Sequence, residues 1–449
     1  MLSPLLAIGE KAITLAEKMG ASQAEAYLAQ SRSFEITAEN NSIKNACETR
    51  DAGIGIRTIV GKKIGFAYVT TLNDSDIEEA VTNSMSLARA SIADPDFVTL
   101  PNSESSHHSA RGIFDKELDE LTSEETTGLL IRAIDACKGS LDKWSHAIEA
   151  AVQSSSGVNA IVNSLGIVKS ERKTCISIYT YPIIKDGKDQ TASYEYQVSR
   201  RLNEINPEWV GTNAAELARG FLRPKTIDGG EMSVLFAPLG ASAILGRGLA
   251  DAVNADEVQM GRSYITDALG EGIASEKLEI VDDGLLPGGI GTRSFDAEGF
   301  PSQRTSVIKA GVLRSLLHNS YTANKENVDN TGNASRPSYS GLPDISTTNF
   351  IVSPGKGDLN ELISELDEGV VCRNTGDSPN LTTGDLSAMI GEGYYVKNGE
   401  IQHALKNTLI GINMRDLLRR ISHVGSDSRT TFSMVTPSIV IEGATITSG

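Results

Sequence analysis

Several groups of residues in this 449-residue chain have types and spacings that could do chemistry. The stretch Phe295 to Thr305, FDAEGFPSQRT, sets Asp296 and Glu298 at i and i+2. On a strand that spacing turns two carboxylates to one face, as an acid/base pair requires. Gly299 and Pro301 follow at once, so the expected setting is an exposed turn with ordinary carboxylates. His318 and His403 fall on or at the end of strand-like runs, where a lone imidazole is expected to be packed and hydrogen-bonded rather than to bind metal. His107 and His108 are adjacent in a Pro-, Ser-, Asp- and Asn-rich stretch from Ser91 to Gly112, without a carboxylate or thiol at ligand spacing, and are expected to be solvent-exposed. Cys47, Cys137, Cys175 and Cys372 are far apart and form no C-x-x-C pair, which gives neither a zinc ribbon nor a disulfide framework and fits a reducing cytoplasm. Gly288 to Gly291 and Thr382 to Asp385 lack the order of a phosphate-binding loop, and there is no G-x-S-x-G elbow. Asn330 to Tyr339, NTGNASRPSY, is either a binding loop or a connector.

The elements that must position these residues read as an α+β protein of two domains, 1–222 and 223–449: antiparallel sheets with flanking helices, then a Gly-rich, mainly β domain with a central helix. Pro4 to Met19 is an amphipathic helix ending at Gly20. Five strand-like runs, divided at Asn40-Asn41, Asp51 to Gly53 and Gly61-Lys62, lead into a helix opened by Ser75-x-x-Glu78 as a capping box. A helix from Ser123 to Lys138, five more strand-like runs and a helix from Asn206-Pro207-Glu208 to Gly220 repeat that order, with too little residue identity to establish a repeat. Pro224 and Gly229-Gly230 mark the boundary. Beyond it, strands are expected at 279–282 and 291–295, hairpins across Ala310-Gly311 and Asn398-Gly399, short helices at 359–365 and 415–421, and a closing strand at 438–446. The central element is Met232 to Ala252, MSVLFAPLGASAILGRGLADA: an apolar strand, then Pro238 opening a helix whose small residues allow close packing. No His, Cys, Asp or Glu occurs between Glu231 and Asp251, so this helix offers packing surface without an acid, base or ligand.

The formal charge of −17, from 41 Lys+Arg against 58 Asp+Glu, disfavours direct contact with a nucleic-acid backbone and reads as a solvated acidic surface. Charges at Glu10, Lys11, Glu17 and Lys18 interrupt the first apolar run, and no run approaches a membrane span. A cytoplasmic protein is the expectation.

Six ordered blocks, DAEGFPSQRT (296–305), GVLRSLLHNSYTA (311–323), TGNASR (331–336), LTTGDLS (381–387), YYVKNGEI (394–401) and VGSDSRTTFSMVTPSIVIEG (424–443), resemble the TldD/PmbA family, also labelled a modulator of DNA gyrase. The resemblance implies a cytoplasmic zinc-metallopeptidase system of two related subunits that degrades unfolded or flexible peptides in an internal cavity. Its catalytic branch carries H-E-x-x-x-H on a helix and a later Cys-Gly, which hold Zn²⁺ and supply the base for its bound water. Here the matching positions are Ser242, Ala243 and Arg247, with Val424 at the Cys position and His423 beside it. A hydroxyl, a methyl and a guanidinium cannot rebuild that site, and one adjacent imidazole does not change this. The chain is therefore similar to the PmbA, or TldE, branch. The resemblance implies no catalytic residue, metal or cofactor in this chain, zinc in a TldD-type partner, and a heterodimer with that partner or a homodimer that helps hold peptide. The alternatives are an independent peptidase using His318, Asp296 or His403, and a protein-binding regulator of DNA gyrase.

Overall fold

The structure is a computed structural model describing residues 4–102 and 109–449, so His107 and His108 lie outside it. The first half of the chain runs α1 (Pro4–Lys18), β1 (Gln23–Glu39), β2 (Ser42–Val60), β3 (Lys63–Val69), α2 (Asp74–Ala90), α3 (Lys116–Asp119), α4 (Ser123–Ser140), β4 (Ser145–Asn163), β5 (Val168–Asp186), β6 (Asp189–Ala192), β7 (Glu195–Ser199) and α5 (Pro207–Gly220). Among the described residues the strands form one antiparallel sheet in the order β3-β2-β1-β4-β5-β6, with β7 also on β5.

The short runs expected from the sequence merge into strands as long as 19 residues. The turn expected at Asp51 to Gly53 is absent, because Asp51, Ala52 and Gly53 stay in register opposite Ser31, Gln30 and Ala29. Gly53 serves a different need: a Cβ there would stand 2.3 Å from the Tyr339 ring, so the glycine admits close approach of the second half of the chain.

Two blocks of the same order, helix, long hairpin, helix, meet side by side at β1 and β4. Leu5, Leu6 and Ile13 of α1, with Ile77, Val81 and Met85 of α2, pack on Ala26, Leu28, Ile54 and Ile56. Leu130 and Ile134 of α4, with Val210 and Ala215 of α5, pack on Ile148, Val152, Ile176 and Ile178. Thr122 and Glu125 close a capping box on α4. α2 differs from expectation: its N-cap is Asn73, and Ser75 and Glu78 lie inside the helix, because Asp74 and Asp76 already supply the acidic first turn.

In the second half, β8 (Gly230–Phe236) lies inside an eight-stranded sheet, parallel to Glu368–Asn374 and antiparallel to Ile439–Ser448. α6 (Pro238–Leu245) leaves its end and runs into a π-helical turn, Gly246–Ala250, so the expected single helix widens midway. The Asn398-Gly399 hairpin is present, both residues having positive φ, as a tight type I′ turn demands. Residues 291–295 form a turn-rich loop instead of a strand, since Gly291 is pressed against the Thr348 carbonyl and carries no ladder partner. The second strand of the hairpin expected across Ala310-Gly311 is short: Val312–Leu313 pairs with Ile308 and Lys309, Leu317 makes an isolated bridge to Asn254, and His318 sits in the loop before the helix Ser320–Glu326. A core including Phe236, Ile244, Leu249, Ile280, Phe350, Val370, Leu417 and Ile441 fills this half.

The two halves are locked by buried ions. Asp296 and Glu298, expected at an exposed turn, are each 1% exposed. Arg57 of β2 donates to Glu25 at 2.7 Å and to Glu298 at 2.9 Å, and Arg336 donates to Glu25 and to the Ala297 and Gly341 carbonyls. The Asp296 carboxylate accepts from the backbone N–H groups of Glu298, Phe300 and Ala334. Gly299 and Pro301 do make a turn, but Arg57 and Arg336 arrive from other parts of the chain to cover it, which local sequence does not reveal. No described helix is long and apolar enough to cross a membrane.

Candidate functional site

The central helix forms one wall of a cleft of about 620 Å³, within the size range of ligand pockets. Leu239, Ser242 and Ala243 of α6, with Gly246 and Arg247 of the π turn, face Ile178 and Tyr179 of β5, Tyr194 just before β7 and Tyr196 within it, and Phe432 and Met434 of the hairpin Arg429–Thr431/Met434–Thr436. The cleft thus lies between the first sheet and the second half of the chain. α6 approaches closely because Gly240 has no side chain: a Cβ there would stand 2.4 Å from the Cys372 carbonyl oxygen.

Three of the four rings that line the cleft form a stack. Tyr194 and Tyr196 stack at 6.2 Å between centroids, and Tyr196 and Phe432 at 5.6 Å. Phe432 is 55% exposed and has φ 52°, a left-handed conformation that a bulky residue rarely adopts and that glycine adopts freely. A strained aromatic residue at a hairpin tip is a feature that ligand clamps share. Behind the rings, Glu195 is paired with Arg429 and Arg373, and Glu392 with Arg373 and the Ser193 hydroxyl. Arg373 also donates to the Tyr194 carbonyl at 3.1 Å. Two acids balance two guanidiniums, so this cluster fixes the rings without leaving net charge. Burial pushes the Tyr194 hydroxyl up to about 12, keeping it a neutral donor at physiological pH.

Among the described lining residues Arg247 carries the one formal charge. Its two terminal nitrogens donate to the Gly376 carbonyl at 2.8 Å and the Thr375 carbonyl at 3.1 Å. Among the described residues the lining contains no Asp, Glu, His or Cys, and no group of three such residues is placed to hold a metal. Ser242, Ala243 and Arg247 therefore share one cleft, but their side chains do not fit a zinc ion: one neutral hydroxyl, one methyl and one cation supply no anionic or imidazole donor set.

The remaining sequence-selected residues are dispersed. Val424 is buried in the strand Ile421–Val424, and His423 points to a separate cleft lined by Glu365, Asp367, Glu368 and Glu442. His318 is buried and its Nδ1 is 3.2 Å from the Thr322 hydroxyl, while burial holds its pKa below the ordinary imidazole value. His403 packs against Tyr395, with Nδ1 3.0 Å from the Ala404 carbonyl. Asp296 belongs to the buried ionic joint. Asn330 to Tyr339 is a connector whose Asn333 and Arg336 bond Asp282 and Glu25. Sequence reasoning missed Tyr194, Tyr196 and Phe432; the one local signal was aromatic spacing in SYEYQ and an isolated Phe in a polar turn.

Three family models match the chain: the PmbA/TldA metallopeptidase domain 1 over residues 24–88, the central domain over 116–222 and the C-terminal domain over 229–448. An uncharacterised protein of Methanocaldococcus jannaschii is 28% identical, covering 97% of this chain and 99% of its own length. The metalloprotease PmbA homolog of Haemophilus influenzae is 26% identical, covering 96% of this chain and 93% of its own. The fold matches that of TldE from Thermococcus kodakarensis with a TM-score of 0.89 at 22% identity, over 98% of this chain and 99% of that one. With all three domains matched in order on one α+β fold, the chain belongs to the PmbA/TldD metallopeptidase family.

Proposed function

We propose that this chain is a non-catalytic, TldE-like subunit of a cytoplasmic two-subunit zinc metallopeptidase. It completes the chamber around a zinc-bearing, TldD-type partner and helps hold an unfolded or flexible peptide; zinc resides in the partner. The observation that carries the reading is the composition of the cleft at Ser242, Ala243 and Arg247: aromatic and apolar surface with one cation and no group able to ligate metal or take a proton from water. Such a surface is suited to binding and lacks the metal ligands and base that zinc-dependent hydrolysis requires, which supports the reading.

The geometry favours this over an independent peptidase. His318, His403 and Asp296 are each held by their own neighbours, and none of them lines the aromatic cleft. The acidic charge balance disfavours DNA contact, and a role as a protein-binding regulator of gyrase has no separate support in the site.

The test is metal analysis and peptidase assay on the purified chain alone and after co-expression with a family member carrying H-E-x-x-x-H. The expected result is no stoichiometric zinc and no chelator-sensitive turnover alone, with turnover in the complex that falls when this chain is omitted. One tightly bound zinc per isolated chain, or turnover by the chain alone, overturns the proposal.

A further inference from the structure

Arg247 sets the cleft apart from a general apolar trough. Its neighbours Thr375 and Gly376 offer carbonyl oxygens and no carboxylate, so two of its five N–H donors are used to hold the guanidinium and three remain. Asp251 is close enough to feel its charge but forms no ion pair with it. The acids nearest the rings, Glu195 and Glu392, are already matched by Arg373 and Arg429. An oriented guanidinium at the edge of an aromatic pocket, ion-paired with no carboxylate among the described residues, is complementary to a ligand that carries an anion and an apolar group a few ångströms apart.

Resting on the peptide-holding role, we propose that the cleft captures the free C-terminus of a peptide whose last residue is aromatic or large and aliphatic. The terminal carboxylate pairs with the guanidinium of Arg247, and the terminal side chain enters between Tyr194, Tyr196, Phe432 and Met434. A chain end suits this arrangement because its carboxylate and side chain share one Cα, so both can be satisfied in a single small cleft. An internal Asp or Glu carries its charge on the side chain that would have to fill the apolar space. The π-helical turn that holds Arg247 is the sort of local helix expansion found at functional sites.

The experiment measures binding of the full-length chain to four fluorescent peptides by anisotropy. These are a flexible peptide ending in Phe with a free carboxylate, the same peptide C-terminally amidated, the amidated peptide with Glu inserted beside Phe, and the free acid ending in Gly. The expected result is that the Phe acid binds about tenfold or more tightly than the amide, the scale of one charge-assisted hydrogen-bonded pair, and about tenfold or more tightly than the Gly acid, the scale of burying one large apolar side chain. Arg247→Gln should abolish the preference for acid over amide while leaving the preference for Phe over Gly, and Arg247→Lys should retain part of it. Unfolding midpoints of both variants near that of the parent show that the fold is retained; Arg247 is exposed and outside the core. Equal binding of acid and amide, an internal Glu that restores full affinity, or discrimination that survives in Arg247→Gln overturns the C-terminal assignment but leaves peptide holding intact. Absence of binding to all four peptides overturns both.

Discussion

Arg57 and Glu298 are 241 positions apart in sequence and 2.9 Å apart in space, and both side chains are buried. This pair, with Glu25 and Arg336, ties the first sheet to the loop that precedes the strand Arg304–Lys309. Burial alone would raise the Glu298 carboxyl, but Arg57 and the Ser320 hydroxyl and N–H outweigh it and hold the group below its ordinary value. Arg57→Met leaves Glu298 buried without its counter-charge and is expected to cost about 3–5 kcal/mol in urea unfolding. Arg57→Met/Glu298→Leu should recover part of that loss. A single variant as stable as the parent would show that the joint rests on packing instead.

Asp282 gives the fold a pH dependence. It is buried, and burial raises its carboxyl to about 6 even though Asn333 and Thr348 donate to it. The folded state then holds a proton that the unfolded chain has released between about pH 4 and 6, so this group's contribution to stability declines as pH rises through that window. The full swing is about 3 kcal/mol. Subtracting the melting profile of Asp282→Asn from that of the parent between pH 4 and 7.5 should isolate this slope; parallel profiles would remove Asp282 as its source.

Phe432→Gly separates strain from function. Glycine accepts the positive φ at this turn without penalty, so the variant should be as stable as the parent or more so by about 1 kcal/mol. It also removes the ring stacked on Tyr196 and should weaken peptide binding several-fold. Loss of stability together with unchanged binding would make the ring a packing element.

Gly240→Ala probes the seat of the central helix. Its new methyl would meet the Cys372 carbonyl oxygen at 2.4 Å, a backbone atom in a central strand that cannot rotate away. An overpacking cost of about 1–3 kcal/mol is expected, with peptide affinity falling as the wall bearing Ser242 and Arg247 shifts. A variant with unchanged denaturation midpoint and affinity would mean that the helix has room to move.

Much of this molecule is written locally. Periodicity and caps placed the helices at Pro4, Ser123 and Pro207, the NG hairpin at Asn398 and the strand-to-helix passage at Phe236 and Pro238. Those features depend on neighbours a few residues away, and so did the family resemblance, carried by ordered blocks. The residue types at Ser242, Ala243 and Arg247 likewise stood in the sequence, since a missing ligand can be read without coordinates. Tertiary structure decided the rest. Asp296 and Glu298 look like turn residues until Arg57 and the Ala334 N–H close over them, and a carboxylate's burial is set by what packs on it, not by the Gly and Pro beside it. Tyr194, Tyr196 and Phe432 become one surface only when β7 and the last hairpin meet, more than 200 residues apart. Arg247 gains its meaning the same way: its spare donors depend on which groups the distant loop at Thr375 and Gly376 presents, and that is a property of packing alone.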